Sequence, residues 1–184
     1  MVVPTLNSKI TSRVITSIDR YLREKGYTTL IQNSDHNIDQ ELQNIQRLIQ
    51  LNVDGILISS IAITKDHKEL LKKAGIPVVV LTQDYEDGIS IIYDDYHAGK
   101  TIGEDIGKKG HQKVGYIGVY ETDKAVGTER RNGVLDGLKE YGITPVIGKS
   151  DYSFLGGQTV ARELLEKEPD LDAIICATDR LAFG

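Results

Sequence analysis

The chain has 184 residues, 40% hydrophobic and 27% charged, the proportions of a soluble globular protein rather than a disordered one. Its net charge of -5 argues against a nucleic-acid-binding surface on these residues, because phosphate contact needs concentrated Lys and Arg. Cys176 is the single cysteine, which excludes an intrachain disulfide and suits a reducing cytoplasm, and no apolar run approaches a membrane span.

Short apolar strands alternate with amphipathic helical stretches along the chain. Val2-Val3 is the stub of a first strand. Ser8 to Lys25 reads as a helix, with Ile10, Val14, Ile18 and Leu22 four apart and Gly26 as its stop. Thr28 to Gln32 is a second strand. Asn37 or Asp39 caps a helix whose face is Leu42, Ile45, Leu48 and Ile49. Gly55 to Ser59 is a third strand, nearly all apolar, as expected where both sheet faces are covered. Lys65 to Ala74 is a helix, Pro77 to Leu81 a fourth strand and Ile89 to Tyr93 a fifth.

The pattern then restarts. Ala98 to Lys109 is helical, Val114 to Val119 a strand, Arg130 to Tyr141 a helix stopped by Gly142, and Pro145 to Ile147 a short strand. Gly157 to Lys167 is a helix and Ala173 to Ala177 a strand. This βαβ repetition imposes parallel strands and an α/β fold. The restart places a lobe boundary near residue 94, giving lobes 1–94 and 95–184. Met1 opens on a strand and Gly184 falls where a helix should begin, so the second lobe is predicted to be truncated. Met1 also runs into Val2-Val3-Pro4 with no basic or long apolar leader, which suits a cytoplasmic location.

In open α/β sheets ligands sit beyond the carboxyl ends of the strands. Those ends carry Asn7 and Ser8, Ser59, Thr82 and Gln83, Asp94, the polar loop from Tyr120 to Thr128 that leads to Arg130, and Thr178 and Asp179. Hydroxyls, amides, carboxylates and a guanidinium on one edge suit a ligand rich in hydroxyls, and the arginine fork suits a phosphate or a hydroxyl pair. Each Ser, Asn or Asp also reads as a cap of the helix that follows. Arg131 reads as a solvated helix residue.

Catalytic chemistry is thin. His36, His67, His97 and His111 fall in loop, surface-helix or capping contexts. Cys176 lies in an apolar strand, where a structural thiol fits better than a nucleophile. Asp94-Asp95 offers hard oxygens for a cation, but the next acids, Asp84 and Glu86-Asp87, fall in an exposed turn. Gly103, Gly107 and Gly110 lie along a helix and form no phosphate loop. No catalytic residue, metal or cofactor is assigned.

The order of elements, the strand GHQKVGYIG, the R-R-N-G start of the following helix, and Ala177-Thr178-Asp179 before Leu181-Ala182-Phe183-Gly184 resemble the LacI/GalR-type family of transcriptional regulators. The resemblance runs from Val2 to Gly184 and is to the effector-binding core. It implies a periplasmic-binding-protein-like fold of type I, two Rossmann-like lobes with parallel sheets closing on an effector. It carries the effector-gripping role onto Arg130, with Asn7, Ser8, Ser59, Thr82, Gln83, Asp94, Thr178 and Asp179 as further contacts. Thr82 stands where many members have an aspartate.

Several stretches, among them Ile92-Tyr93-Asp94-Asp95 and Tyr116-Ile117-Gly118-Val119, look most like trehalose- and sucrose-operon repressors within that family. The resemblance implies a non-enzymatic sugar or sugar-phosphate sensor. It also implies a homodimer, with the Ser8–Lys25 and Lys65–Ala74 helices as candidate surfaces. Operator DNA would be bound through an N-terminal helix-turn-helix domain absent from this chain. The rival reading is a sugar receptor of a transport system.

Overall fold

The computed structural model describes residues 1–184 and divides into two compact units, Met1–Ile92 and Tyr93–Gly184. The first unit runs β1 (Val2–Val3), α1 (Lys9–Glu24), β2 (Gln32–Asn33), α2 (Ile38–Gln50), β3 (Ile56–Ser59), α3 (Lys65–Ala74), β4 (Val78–Leu81) and β5 (Ile89–Ile91). Its five strands form one parallel sheet in the order β2-β1-β3-β4-β5. Val2, Ile56, Ile58 and Val80 meet Ile45, Leu48 and Leu71 of α2 and α3 in the main core. Met1 and Val3 instead pack on Ile15 of α1, with Ile18 and Leu57 beside them. Successive strand residues thus feed opposite faces, as the pleat requires.

The second unit runs α4 (Asp95–Lys108), β6 (Val114–Val119), a π-helical turn (Lys124–Arg130), α5 (Arg131–Lys139), β7 (Val146–Ser150), α6 (Phe154–Lys167), β8 (Ala173–Cys176) and α7 (Asp179–Ala182). Its parallel sheet has the order β7-β6-β8. Every residue of central β6 is buried, which accounts for its lack of polar alternation. Gly99 and Gly103 of α4 let α5 approach so closely that a methyl group would overlap the Arg130 and Val134 carbonyl oxygens. This close crossing brings the start of α5 over the start of α4.

Several sequence expectations need correction. β2 is Gln32 and Asn33, which pair with Val2 and Val3 of β1, and Thr28–Ile31 lies outside the strand. β5 stops at Ile91, short of Tyr93, and β7 extends past Ile147 to Ser150. Arg130 ends the π-helical turn instead of lying inside an α-helix, so the loop after β6 is itself mostly helical. On α1 the buried residue is Ile15, while Ile10 in the first turn is 64% exposed.

His67 is not a surface residue. It is fully buried on α3, and its Nε2 approaches Glu41 Oε1 of α2 to 2.9 Å without a linear hydrogen bond. Its Nδ1 accepts from the Thr64 backbone N–H, completing a capping box. That acceptor role places the ring proton on Nε2, toward the Glu41 carboxylate.

Candidate functional site at the carboxyl edges of the two sheets

A parallel sheet opens a crevice where consecutive strands depart to opposite sides. In the second unit that point lies between β6 and β8, since β7 flanks β6 on its other side. The Arg130 side chain lies there. Its Nε donates to Asp95 Oδ1 at 2.8 Å, its NH2 group bonds the same oxygen, and its NH1 donates to the Ala177 carbonyl at 2.7 Å, just past β8. Asp95 is almost wholly buried at the first residue of α4, where the helix dipole also favours a carboxylate. Of the five guanidinium N–H groups these bonds use three, leaving two for other acceptors.

Two groups that sequence reasoning missed stand beside this arginine. The Tyr152 hydroxyl, just past β7, donates to Asp123 Oδ2 at 2.5 Å. Asp123 Oδ1 meanwhile caps the π-helical turn through the Val126 N–H. Burial pushes the Tyr152 hydroxyl well above the ordinary phenol range, and the charge of Asp123 adds to it. The Tyr116 hydroxyl, buried under the same edge, has no hydrogen-bond partner, and burial pushes it up to about 12. The available signal was position: Tyr152 follows its strand as the polar candidates follow theirs.

Arg131 is half-buried, not solvated. Its NH1 donates to Glu121 Oε1 at 2.6 Å, and Lys149 Nζ lies 2.6 Å from the same oxygen. The Lys149 contact, then the chain's own backbone bond, holds the Glu121 carboxyl below its usual range. The two arginines therefore have separate partners, and only Arg130 reaches the strand ends of β8.

Of the other second-unit candidates, Asp94 Oδ1 accepts the His97 N–H at 3.0 Å and Thr178 Oγ1 the Leu181 N–H at 3.3 Å, both as helix caps. Asp179 accepts from the neighbouring Arg180 N–H at 2.7 Å. It is thus Asp95, and not Asp94, that meets Arg130.

In the first unit the corresponding switch point lies between β1 and β3. Ser8 caps α1 through Thr11 N–H, and exposed Asn7 donates its backbone N–H to Thr5 Oγ1. Ser59 Oγ and Thr82 Oγ1 stand 3.3 Å apart across β3 and β4. Gln83 is buried beside them. No charged residue is among these five.

The whole span, residues 1–184, matches the family described as periplasmic binding proteins and sugar binding domain of the LacI family. The chain belongs to this family. It is 30% identical over 183 residues to the sucrose operon repressor of Staphylococcus xylosus, a match covering 100% of the chain and 57% of that repressor. It is 27% identical over 162 residues to the HTH-type transcriptional regulator TreR of Escherichia coli, covering 88% of the chain and 50% of the regulator. The chain thus spans about half the length of these curated relatives. Among solved structures, the Cra transcriptional dual regulator from Pseudomonas putida, in complex with fructose 1-phosphate, superposes with a TM-score of 0.88 at 22% identity. That match covers 100% of this chain and 69% of that one. The fold is accordingly the periplasmic-binding-protein-like α/β fold, and the 184 residues are part of its full core.

Proposed function

We propose that this chain is the effector-sensing part of a sugar-responsive transcriptional repressor whose effector is a sugar or sugar phosphate of the trehalose or sucrose type. The observation that carries the reading is Arg130, pinned by Asp95 and the Ala177 carbonyl at the switch point of its sheet with two donors to spare. A guanidinium held in place loses little freedom on binding, so its remaining N–H groups contribute most of their bond strength to affinity. Ser59, Thr82, Gln83, Asn7, Ser8, Asp94, Thr178 and Asp179 are the further effector contacts. Residues that cap a helix in the free protein retain lone pairs for a ligand hydroxyl.

The relatives support the ligand class: one is a sucrose operon repressor, and a structural neighbour holds fructose 1-phosphate. Effector binding shifts the DNA affinity of the intact protein only by its differential affinity for the two states of that protein. The operator is bound through a separate N-terminal domain, and the intact repressor is a homodimer. The relatives named above are a repressor and a transcriptional regulator, which favours sensing over catalysis. Titration calorimetry of the intact repressor with trehalose, trehalose 6-phosphate, sucrose and sucrose 6-phosphate tests the reading. Binding of one of them is expected, and silence from all four would remove this ligand class.

A further inference from the structure

Glu41 of α2 and His67 of α3 are ionisable side chains sealed inside the first unit, 1% and 0% exposed. A carboxyl group taken out of water ordinarily has well-aligned donors on its oxygens. Glu41 has none. Its Oε1 lies 2.9 Å from His67 Nε2, yet the two atoms are out of line and neither has a hydrogen-bond partner. Its Oε2 has Ser34 Oγ at 3.4 Å, and the single proton of that hydroxyl is shared with the Val3 carbonyl at 3.2 Å. Apolar residues of similar volume often serve a core as well as a buried pair, so stability alone gives no reason for this one.

Position supplies a reason. The pair lies under the switch point between β1 and β3. On one side Ser34 holds the Val3 carbonyl, the last of β1, through both its Oγ and its N–H. On the other, His67 Nδ1 lies 3.3 Å from Thr64 N and 2.8 Å from Thr64 Oγ1, and Thr64 Oγ1 accepts the His67 N–H at 3.4 Å. Ser60 to Ile63 are all that separates Thr64 from Ser59 at the end of β3. Ser60 stiffens this loop by bonding Ala62 twice, its Oγ donating to the carbonyl at 2.8 Å and accepting the N–H at 3.1 Å. The loop and the first turn of α3 therefore move together, and a displacement of Ser59 turns His67 against Glu41. Nε2 and Oε1 are already at bonding distance, so a small rotation brings the proton into line and strengthens the contact.

We propose that Glu41 and His67 form a conformational latch between α2 and α3: open in the arrangement seen here, it closes into a linear Nε2–H···Oε1 bond when an effector draws the loop after β3 toward itself. This rests on the effector reading above. Closing the latch is a differential stabilisation of one state, which is what an effector needs in order to shift the repressor between two.

The test uses the intact repressor with nitrogen-labelled histidine, and trehalose, sucrose and their 6-phosphates. Shielded from solvent, the His67 Nε2–H should give its own proton resonance, and the sugar that binds should move it downfield as the bond straightens. Glu41→Met combined with His67→Leu should fold with a Tm close to that of the wild type and bind that sugar at least about fivefold more weakly, because closing no longer adds to affinity. Glu41→Gln, whose amide oxygen still accepts from Nε2–H, should lose less. A His67 resonance that stays in place at saturation, or a folded double variant that binds the sugar as tightly as the wild type, would each overturn the latch while leaving the effector reading intact. If none of the four sugars binds, the effector reading falls, and this inference with it.

Discussion

Replacing Asp95 with alanine removes the carboxylate that orients Arg130. The two side chains are 5% and 26% exposed. With charge centres about 4 Å apart and an effective dielectric of about 20, their attraction is about 4 kcal/mol. Solvent screens the exposed quarter of the guanidinium, so the expected loss is about 2–3 kcal/mol, below the 3–5 kcal/mol typical of a fully buried pair broken from one side. Arg130→Ala should cost about 3 kcal/mol, because it strands a nearly buried carboxylate that the α4 N-terminus stabilises by only about 0.3–1 kcal/mol. The double variant should cost less than the sum, with a coupling of about 2 kcal/mol. Urea denaturation followed by circular dichroism measures all three, and calorimetry on the intact repressor reads effector affinity alongside. Asp95→Ala should weaken the effector at least about tenfold although Arg130 is still present, since a guanidinium without its anchor must be ordered again on binding. Strictly additive stability losses, or full affinity in Asp95→Ala, would refute the argument that Asp95 positions Arg130.

Three further outcomes are expected. Gly103→Ala should destabilise by about 2 kcal/mol in urea, despite alanine's better helix propensity, because the new methyl group meets the Val134 carbonyl; a stabilised variant would contradict the close α4–α5 crossing. His67→Ala should cost about 3 kcal/mol by leaving Glu41 buried without its partner, and Glu41→Met combined with His67→Leu should recover much of that; a double variant worse than the single would rule out the pair as the cause. Tyr116 holds its proton up to about pH 12 in the folded chain, whereas an unfolded tyrosine releases it near about pH 10. Its contribution is therefore complete below about pH 10 and lost as pH rises toward about 12, and Tyr116→Phe should flatten that alkaline loss in a denaturation series, an unchanged slope counting against it.

The sequence reading went furthest where one local pattern decides the outcome. The helix read over Lys65 to Ala74 coincides with α3, and Gly75 just after it, with a φ of 65°, is the left-handed cap that stops it. β6 was legible because central parallel strands are apolar throughout. The read failed where a partner elsewhere decides. His67 has the neighbours of a surface helix residue, and only the packing of α2 on α3 buries it against Glu41.

By itself the sequence determined the alternation of strands and helices, and with it a parallel α/β fold whose strand ends carry the polar inventory of a binding edge. Hydrophobic periodicity and short-range caps suffice for that. The tertiary structure alone decided which of those polar groups meet. Asp95 and Arg130 are 35 positions apart, and Arg130 and Ala177 are 47 apart. Their encounter follows from the close crossing of α4 and α5 and from the strand order β7-β6-β8, neither of which is written in any local window.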